Sequence, residues 1–353
     1  MSDQTAPGDR RTAHTYLFEL KGIQRYVFDS GRLRDVVGAS DLVAGLVKSP
    51  GSPSGADADL IGQIIDKVIA AAPPPQDVQL AFSRRASGAF CLHSDDKTTL
   101  DEIRALWRLA VQLRCPGLEM TESISEGSGK AAWEEAALAS VEGAHRSVSG
   151  IRENGAATLP PAGGPVAQFV ARTGRPATAV ALYEDEGEPL DAMTAPQRAH
   201  ADRLRGKLDG VASRFLSPDL RDAQPPYVFP RNIDRGVKED EDNPLFPFRG
   251  DDTRLAVIHA DISGLGETYR RASERAQVPD DMLNLSRAIE RAVEGAAQAA
   301  TRQILIPAAH PPNIGSSRLR PVPARPIVLG GDDITILVRA DLALPFTAVA
   351  ARA

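Results

Sequence analysis

The sequence predicts an α+β fold with two ferredoxin-like domains of βαββαβ order and with helical inserts, the second domain being incomplete at its C-terminus. Three observations predict it: a glycine- and aspartate-rich hairpin near the C-terminus, an upstream apolar strand that ends in an acidic residue, and a repeat of this pattern near the N-terminus. The predicted boundaries are 12–150 for the first domain, 151–252 for a helical and linker region, and 253–353 for the second domain.

The hairpin is the most informative feature. Two runs of apolar and β-branched residues, 326–329 and 334–338, flank the tetrad Gly330-Gly331-Asp332-Asp333. This pattern is typical of a β-hairpin with a tight turn. The glycines supply positive φ angles and let a bulky ligand approach the backbone. The two aspartates repel each other in a plain turn, whereas a divalent cation beside a polyphosphate makes their pairing favourable.

A third carboxylate is expected to join this tip. The run 255–260 is predicted to be a buried strand, and Asp261 stands at its end. In a βαββαβ domain the first and third strands are antiparallel neighbours, so Asp261 is predicted to lie beside Asp332 and Asp333. The three aspartates are expected to form a hard-oxygen site that suits Mg²⁺ or Mn²⁺, and the backbone carbonyl of Ile262 is a candidate further ligand.

The turn after this strand is a candidate phosphate site. Ser263, Gly264 and Gly266 precede or open a predicted helix over 267–276, and main-chain N–H groups at such a position bind phosphates. A longer helix is predicted from about 281 to 303, because apolar residues recur there at helical spacing. The predicted nucleotide-binding set in this half therefore comprises Gly330, Gly331, Ile262, Ser263, Gly264 and Gly266.

The N-terminal region repeats the pattern. Residues 16–24 align with 258–266, which places Glu19 on Asp261 and Gly22 on Gly264. The alignment predicts that the first domain is a copy of the second.

A second hairpin candidate belongs to this copy. Strands are predicted over 78–83 and 89–92 around a turn at 84–88, and the residues that align with the tetrad, 86–89, carry no carboxylate. The first domain is therefore predicted to be degenerate as a metal site, with Glu19 and Ser87 as candidate nucleotide contacts, although a plain polar turn is the favoured role for Ser87. A helix over 100–113 and a strand over 117–123 complete the predicted unit.

Composition bounds the remaining classes. The chain has 353 residues, 42% hydrophobic content and a net charge of −6, typical of a soluble globular protein and unfavourable for passive binding along nucleic-acid backbones. Cys91 and Cys115 are too few for a disulfide framework or a Cys₄ zinc site, and both are expected to be buried thiols. Without a long apolar segment or a signal-like N-terminus, no membrane partner and a cytoplasmic location are predicted.

The residues also resemble a known family. Residues 19–28, with Leu33-Arg34 and 38–40 after them, resemble the first palm domain of the large subunit of type III CRISPR effectors, the CRISPR polymerase. Asp261 with its turn and the tetrad 330–333 resemble the metal motifs of its second palm. The family's nuclease motif, its zinc cysteines and its fourth palm strand have no counterpart here, which implies a compact stand-alone or truncated relative.

The resemblance implies a metal-dependent nucleotidyltransferase that converts ATP to a cyclic oligonucleotide messenger with release of pyrophosphate, in antiviral defence. Asp261, Asp332 and Asp333 would be its catalytic residues, with two Mg²⁺ as cofactors; GTP remains open as a substrate. The implied partners are a second copy of the chain, or CRISPR-type subunits with guide and target RNA. A non-catalytic palm scaffold in a ribonucleoprotein complex is the alternative, and a templated polymerase or diguanylate cyclase is a third reading.

Overall fold

The structure is a computed structural model, and it describes most of the chain. Ser87, one of the predicted nucleotide contacts, lies outside the described residues. The described residues are 11–47, 59–71, 78–86, 88–130, 132–154, 168–183, 186–204, 208, 210–231, 233, 244–310 and 319–353.

The N-terminal half contains a four-stranded antiparallel sheet. Its elements are β1 (Arg11–Lys21), α1 (Ile23–Phe28), α2 (Leu33–Leu46), α3 (Leu60–Ala71), β2 (Leu80–Ala86), β3 (Ala89–Ser94), α4 (Lys97–Arg114), β4 (Glu119–Lys130) and α5 (Trp133–Asn154). The strand order is β2-β3-β1-β4, so β1 is central and pairs on both edges. Phe18 of β1 packs on Phe90 and Trp107, with ring centroids 5.3 Å apart in both pairs. This aromatic cluster fastens α4 to the sheet.

Two predicted boundaries in this half need correction. The turn predicted at 84–88 is shorter, because Arg84 and Arg85 pair with Cys91 and Phe90 and extend β2 to Ala86. The helix predicted over 100–113 begins at Lys97, where the carboxylate of Asp96 accepts the N–H groups of the first turn. Both cysteines are buried and free, as predicted.

The middle region is not only helical and linker, as the sequence suggested. Its elements are β5 (Ala177–Tyr183), β6 (Glu186–Asp191), α6 (Thr194–Arg203), α7 (Gly210–Phe215), α8 (Pro218–Arg221) and β7 (Tyr227–Val228). The antiparallel pair β5–β6 was missed because β6 carries a glycine, a proline and three acidic residues, a composition typical of a loop. Its end is anchored by Asp191, whose carboxylate accepts the N–H groups of Met193 and Thr194 and so begins α6.

The C-terminal half contains a second antiparallel sheet, of three strands among the described residues, in the order β10-β11-β8. The α+β class predicted from the sequence is therefore confirmed. Helix α10 extends by a π-helical turn over Thr301–Leu305. The elements are β8 (Leu255–Ala260), α9 (Leu265–Ser273), α10 (Pro279–Ala300), β9 (Arg320–Pro321), β10 (Ala324–Gly330), β11 (Asp333–Arg339) and α11 (Ala343–Ala350).

The two faces of the second sheet are buried against different partners. Ile334 and Ile336 belong to a core with Val293 and Ala297 of α10. Residues from the opposite face, including Leu337 of β11, pack against the core of the N-terminal half. Because side chains alternate along a strand, the face of β11 that carries Asp333 is directed toward the N-terminal half.

Helix α2 joins the halves. The hydroxyl of Ser40 on α2 donates to the main-chain oxygen of Ile327 on β10. On the other side of α2, the buried Asp35 accepts from Arg198 of α6, which also donates to Glu188 at 2.9 Å. Both charges of this pair are buried and hydrogen-bonded, the condition under which a buried ion pair is tolerated. No helix among the described residues is long and apolar enough to cross a membrane.

Candidate metal and nucleotide site

The acidic tip is a two-residue hairpin loop. Gly330 at the end of β10 pairs with Asp333 at the start of β11, which leaves Gly331 and Asp332 as the loop. Gly331 has a φ of 62°, a left-handed conformation that a side chain disfavours. The predicted hairpin and the reason for its glycine are both present in the structure.

The strand register brings Asp261 to this tip. Ile334 of β11 pairs with Ala260, the last residue of β8, so the next step of the antiparallel register places Asp261 opposite Asp333. One carboxylate oxygen from each of Asp261, Asp332 and Asp333 lies within 4.8 Å of the others. Asp261 is exposed and the other two are half-buried, so the cluster opens to solvent on the Asp261 side.

Burial and neighbouring negative charge raise the pKa of both aspartates of the hairpin. The pKa of Asp332 is raised by burial first, and then by a hydrogen bond and charge repulsion from Asp261 and by repulsion from Asp333. Burial and the charge of Asp261 likewise raise the pKa of Asp333, whereas the nearby His259 acts in the opposite direction. The cluster therefore holds more negative charge than its surroundings neutralise.

These donors fit a hard divalent cation. Three carboxylate oxygens in one small volume match the ligand preference of Mg²⁺ and Mn²⁺, and an added cation relieves the repulsion that raises the pKa values. Among the residues that the structure describes, this is the one group of three histidine, cysteine or acidic side chains close enough to share an ion.

The turn after Asp261 lies beside the cluster. Ile262 and Ser263 form the exposed link to α9, and Gly264 precedes the helix with a φ of 77°. Gly266 stands in the first turn of α9, which begins at Leu265 rather than at the predicted residue 267. No residue of α9 is fully buried, so this helix start is accessible to a ligand.

The side chains that surround the cluster were not predicted from the sequence. His259 lies on the same face of β8 as Asp261, two residues earlier, and its Nδ1 lies 3.0 Å from the hydroxyl of Thr335. Its Nε2 lies 3.3 Å from the amide nitrogen of Gln24 on α1. The alternation along β8 could have indicated His259, but Gln24 is 235 positions distant and only the packing of the halves brings it here.

The N-terminal half has the same strand register, but its hairpin lacks the two aspartates of the acidic tip. Ala86 pairs with Ala89, and Ala89 pairs with Glu19, which matches the register of the acidic tip. Glu19 is buried at 8% exposure and forms ion pairs with Lys21 at 2.6 Å and Arg84 at 3.5 Å. Two cations of the protein therefore neutralise the acid that aligns with Asp261.

Arg84 also reaches the other half. Its guanidinium lies 5.6 Å from the ring centroid of Tyr269 on α9, within the range of a cation–π contact. The contacts Arg84–Tyr269 and Gln24–His259 both join the end of the first sheet to the elements that carry Asp261. The two sheet ends therefore face a common space.

The fold is similar to solved structures of the Csm1–Csm4 cassette. The complex with cA4 has a TM-score of 0.50 at 12% identity, over 96% of this chain and 46% of that chain. The complex with pppApApA gives the same values. The complex with one ATP has a TM-score of 0.50 at 11% identity, over 96% and 47%. No protein-family model and no curated protein matches the chain.

This likeness establishes the fold. Csm1 is the palm-domain subunit of type III CRISPR effectors, so the resemblance predicted from the sequence is confirmed at the level of the fold. The chain spans about half the length of the structures that it matches.

Proposed function

We propose that the chain is a metal-dependent nucleotidyltransferase that joins ATP into a cyclic oligonucleotide messenger in antiviral defence. The convergence of Asp261, Asp332 and Asp333 within 4.8 Å carries this proposal. The matched Csm1–Csm4 structures contain one ATP, pppApApA and cA4, which are a monomer, a linear trimer and a ring of the kind that this reaction would connect. The domain boundaries 12–150, 151–252 and 253–353 are proposed for this paired-palm arrangement.

In each step a ribose hydroxyl attacks the α-phosphorus of a triphosphate, pyrophosphate leaves, and the hydroxyl proton passes to solvent. Asp261, Asp332 and Asp333, with the carbonyl of Ile262, would hold Mg²⁺ or Mn²⁺. When bound, the cations would lower the pKa of the attacking hydroxyl and neutralise the negative charge of the departing pyrophosphate.

The protein's own contribution is to position the nucleotides. Gly330 and Gly331 leave room at the tip for a nucleotide to approach the backbone. Ser263, Gly264 and Gly266 would present main-chain N–H groups to a phosphate at the start of α9. GTP fits the same phosphate contacts, since none of them reads a base.

The first half would bind the acceptor nucleotide. We assign this role to Ser87 and to Glu19, the latter acting through the cations Lys21 and Arg84 that it holds. Because those cations replace a metal at the degenerate tip, they suit a phosphate rather than a divalent ion.

The test is the double substitution Asp332→Ala with Asp333→Ala. It should reduce metal-dependent pyrophosphate release from ATP to the background of the assay, because two of the three ligands are lost. The matched control is Asp251→Ala with Asp252→Ala, another adjacent pair of aspartates, on the turn before β8. It removes the same charge and should leave turnover unchanged. Turnover by the tip variant equal to that of the parent would refute the proposal.

The alternative is a non-catalytic palm scaffold in a CRISPR-type complex, with other subunits and guide RNA as partners. One observation favours it: within the described residues β8 pairs only with β11, so its outer edge is open, and such edges accept a strand from another chain. Calorimetric titration with ATP and Mn²⁺ separates the two functions, because a scaffold would bind neither in a metal-dependent manner.

A further inference from the structure

Behind the acidic tip lies a buried arginine with no role in the contacts described so far. Arg214, on α7, is 7% exposed. Its Nη1 donates to the main-chain oxygen of Leu329 at 2.8 Å. Leu329 directly precedes Gly330, and β10, to which it belongs, is an edge strand. The guanidinium therefore supports the acidic hairpin on the edge of β10 that pairs with no other strand among the described residues.

Two acids on α10 hold this guanidinium in place. Its Nη2 donates to Glu290 at 2.8 Å and its Nε donates to Glu294 at 3.1 Å. Gln298 completes the network, because its amide donates to both Glu294 and the main-chain oxygen of Arg214, each at 3.0 Å. With three donors fixed by three acceptors on two elements, the planar group has one orientation.

We infer that Arg214 is a positioning residue: it fixes the position of the hairpin that carries Asp332 and Asp333 relative to Asp261. The register between β10 and β11 has an irregularity between Pro326 and Val328, so the strand that enters the tip is not held by a uniform ladder. A fixed donor at Leu329 compensates one residue before the pair Gly330–Asp333 that closes the turn. Movement of the tip by about 1 Å would spoil a shared ion site, because metal ligation tolerates distance errors of only about 0.2 Å.

This inference deepens the proposed function and rests on it for the metal, but not for the position of the tip. The test compares Arg214→Lys with Arg339→Lys. Arg339 is an equivalent buried arginine at the other end of β11, where it donates to the main-chain oxygen of Pro247 at 3.0 Å and pairs with Asp341. In both variants lysine keeps the positive charge but lacks the planar set of donors of the guanidinium. Both variants should therefore lower the melting temperature.

The first measurement is hydrogen exchange at residues 330–333 of the full chain without metal. Arg214→Lys should accelerate exchange there, and Arg339→Lys should not. The second is Mn²⁺ affinity by calorimetry, which Arg214→Lys should weaken by about tenfold or more, the usual cost of removing a group that orients a ligand. Glu294→Gln weakens the contact with Nε of Arg214 while keeping the arginine. It should also accelerate exchange at the tip and weaken Mn²⁺ binding, and it replaces Arg214→Lys if that variant does not fold.

Unchanged exchange at the tip in Arg214→Lys, or equal acceleration in Arg339→Lys, would overturn the inference. A parent chain that binds no Mn²⁺ would refute the proposed metal site alone, since the exchange measurement decides the positioning role without a metal. Weakened Mn²⁺ binding without a change in exchange would also count against positioning, because the loss of affinity would then not come from movement of the tip.

Discussion

The two sheet ends of this molecule share one backbone design but differ in charge. At the first, Glu19 is buried beside Lys21 and Arg84, and the turn that follows β2 carries no carboxylate. At the second, Asp261 is exposed beside two further aspartates. The same strand register therefore supports one acidic group that is neutralised by cations of the protein and one whose three carboxylates could hold a metal ion.

The supporting strands differ as well. Strand β1 pairs with β3 and β4, whereas β8 pairs only with β11 in the described part of the chain. The first sheet end is stabilised on both sides of its acid, and the second depends on the hairpin and on the groups behind it. The acid of the first end is therefore more firmly held by its surroundings than the acids of the second, and the proposed ligand site lies at the less supported end.

The largest expected difference concerns metal affinity. Asp261→Asn should weaken Mn²⁺ binding by more than about a hundredfold, above the range for residues that merely orient a ligand, because it removes a carboxylate of the cluster. Glu19→Gln, the aligned change in the first half, should leave the affinity unchanged. Calorimetry on both variants checks this, and a comparable loss in Glu19→Gln would show that the two ends form one metal site.

Replacing the glycine at each tip by alanine should lower the unfolding free energy by different amounts. Gly331→Ala places a side chain at a φ of 62° and should cost about 1–2 kcal/mol. Gly88→Ala should cost more, because its Cβ would also lie 2.9 Å from Cδ1 of Leu20. Denaturant unfolding of each variant measures both values. The reverse order would mean that the second tip is packed more tightly than the first.

The third expected difference between the two sheet ends is in the pH dependence of stability. Because the folded chain holds the proton of Asp333 more tightly than the unfolded chain, the contribution of Asp333 to the unfolding free energy of the metal-free protein falls as the pH rises from about 3.9 through the raised pKa, and then levels off.

Asp333→Asn escapes this loss. Without metal it should melt a few degrees above the parent at neutral pH, and the gain should vanish near pH 3. Glu19→Gln should instead melt below the parent at neutral pH, since it weakens the ion pairs with Lys21 and Arg84. Melting curves in a chelator across this pH range test both signs; a neutral-pH loss in Asp333→Asn would contradict the charge imbalance at the tip.

The smallest effect is expected at the contact between the ends. Tyr269→Leu removes the ring beneath Arg84 and should cost about 0.5–1 kcal/mol. Tyr269→Phe keeps the ring and serves as the control. Equal loss in the two variants, measured by unfolding, would assign the contribution to the hydroxyl instead of the ring.

Much of the second sheet end could be predicted from the sequence. The tetrad 330–333 and the strand before Asp261 are local patterns, and pairing of the first and third strands follows from the strand order, so the meeting of the three aspartates was predictable. The hairpin of β5 and β6 was not, because the glycine, the proline and the acidic residues of β6 are typical of a loop.

What the sequence determined by itself is the identity of the acids and the turns, since residue type and spacing decide where a strand can end and a chain can reverse. Only the tertiary structure decided what surrounds them. Gln24 reaches His259, Arg84 reaches Tyr269 and Arg214 reaches Leu329 across long stretches of chain. Such contacts depend on how two sheets and α2 pack together, and packing directions are not encoded in any local pattern.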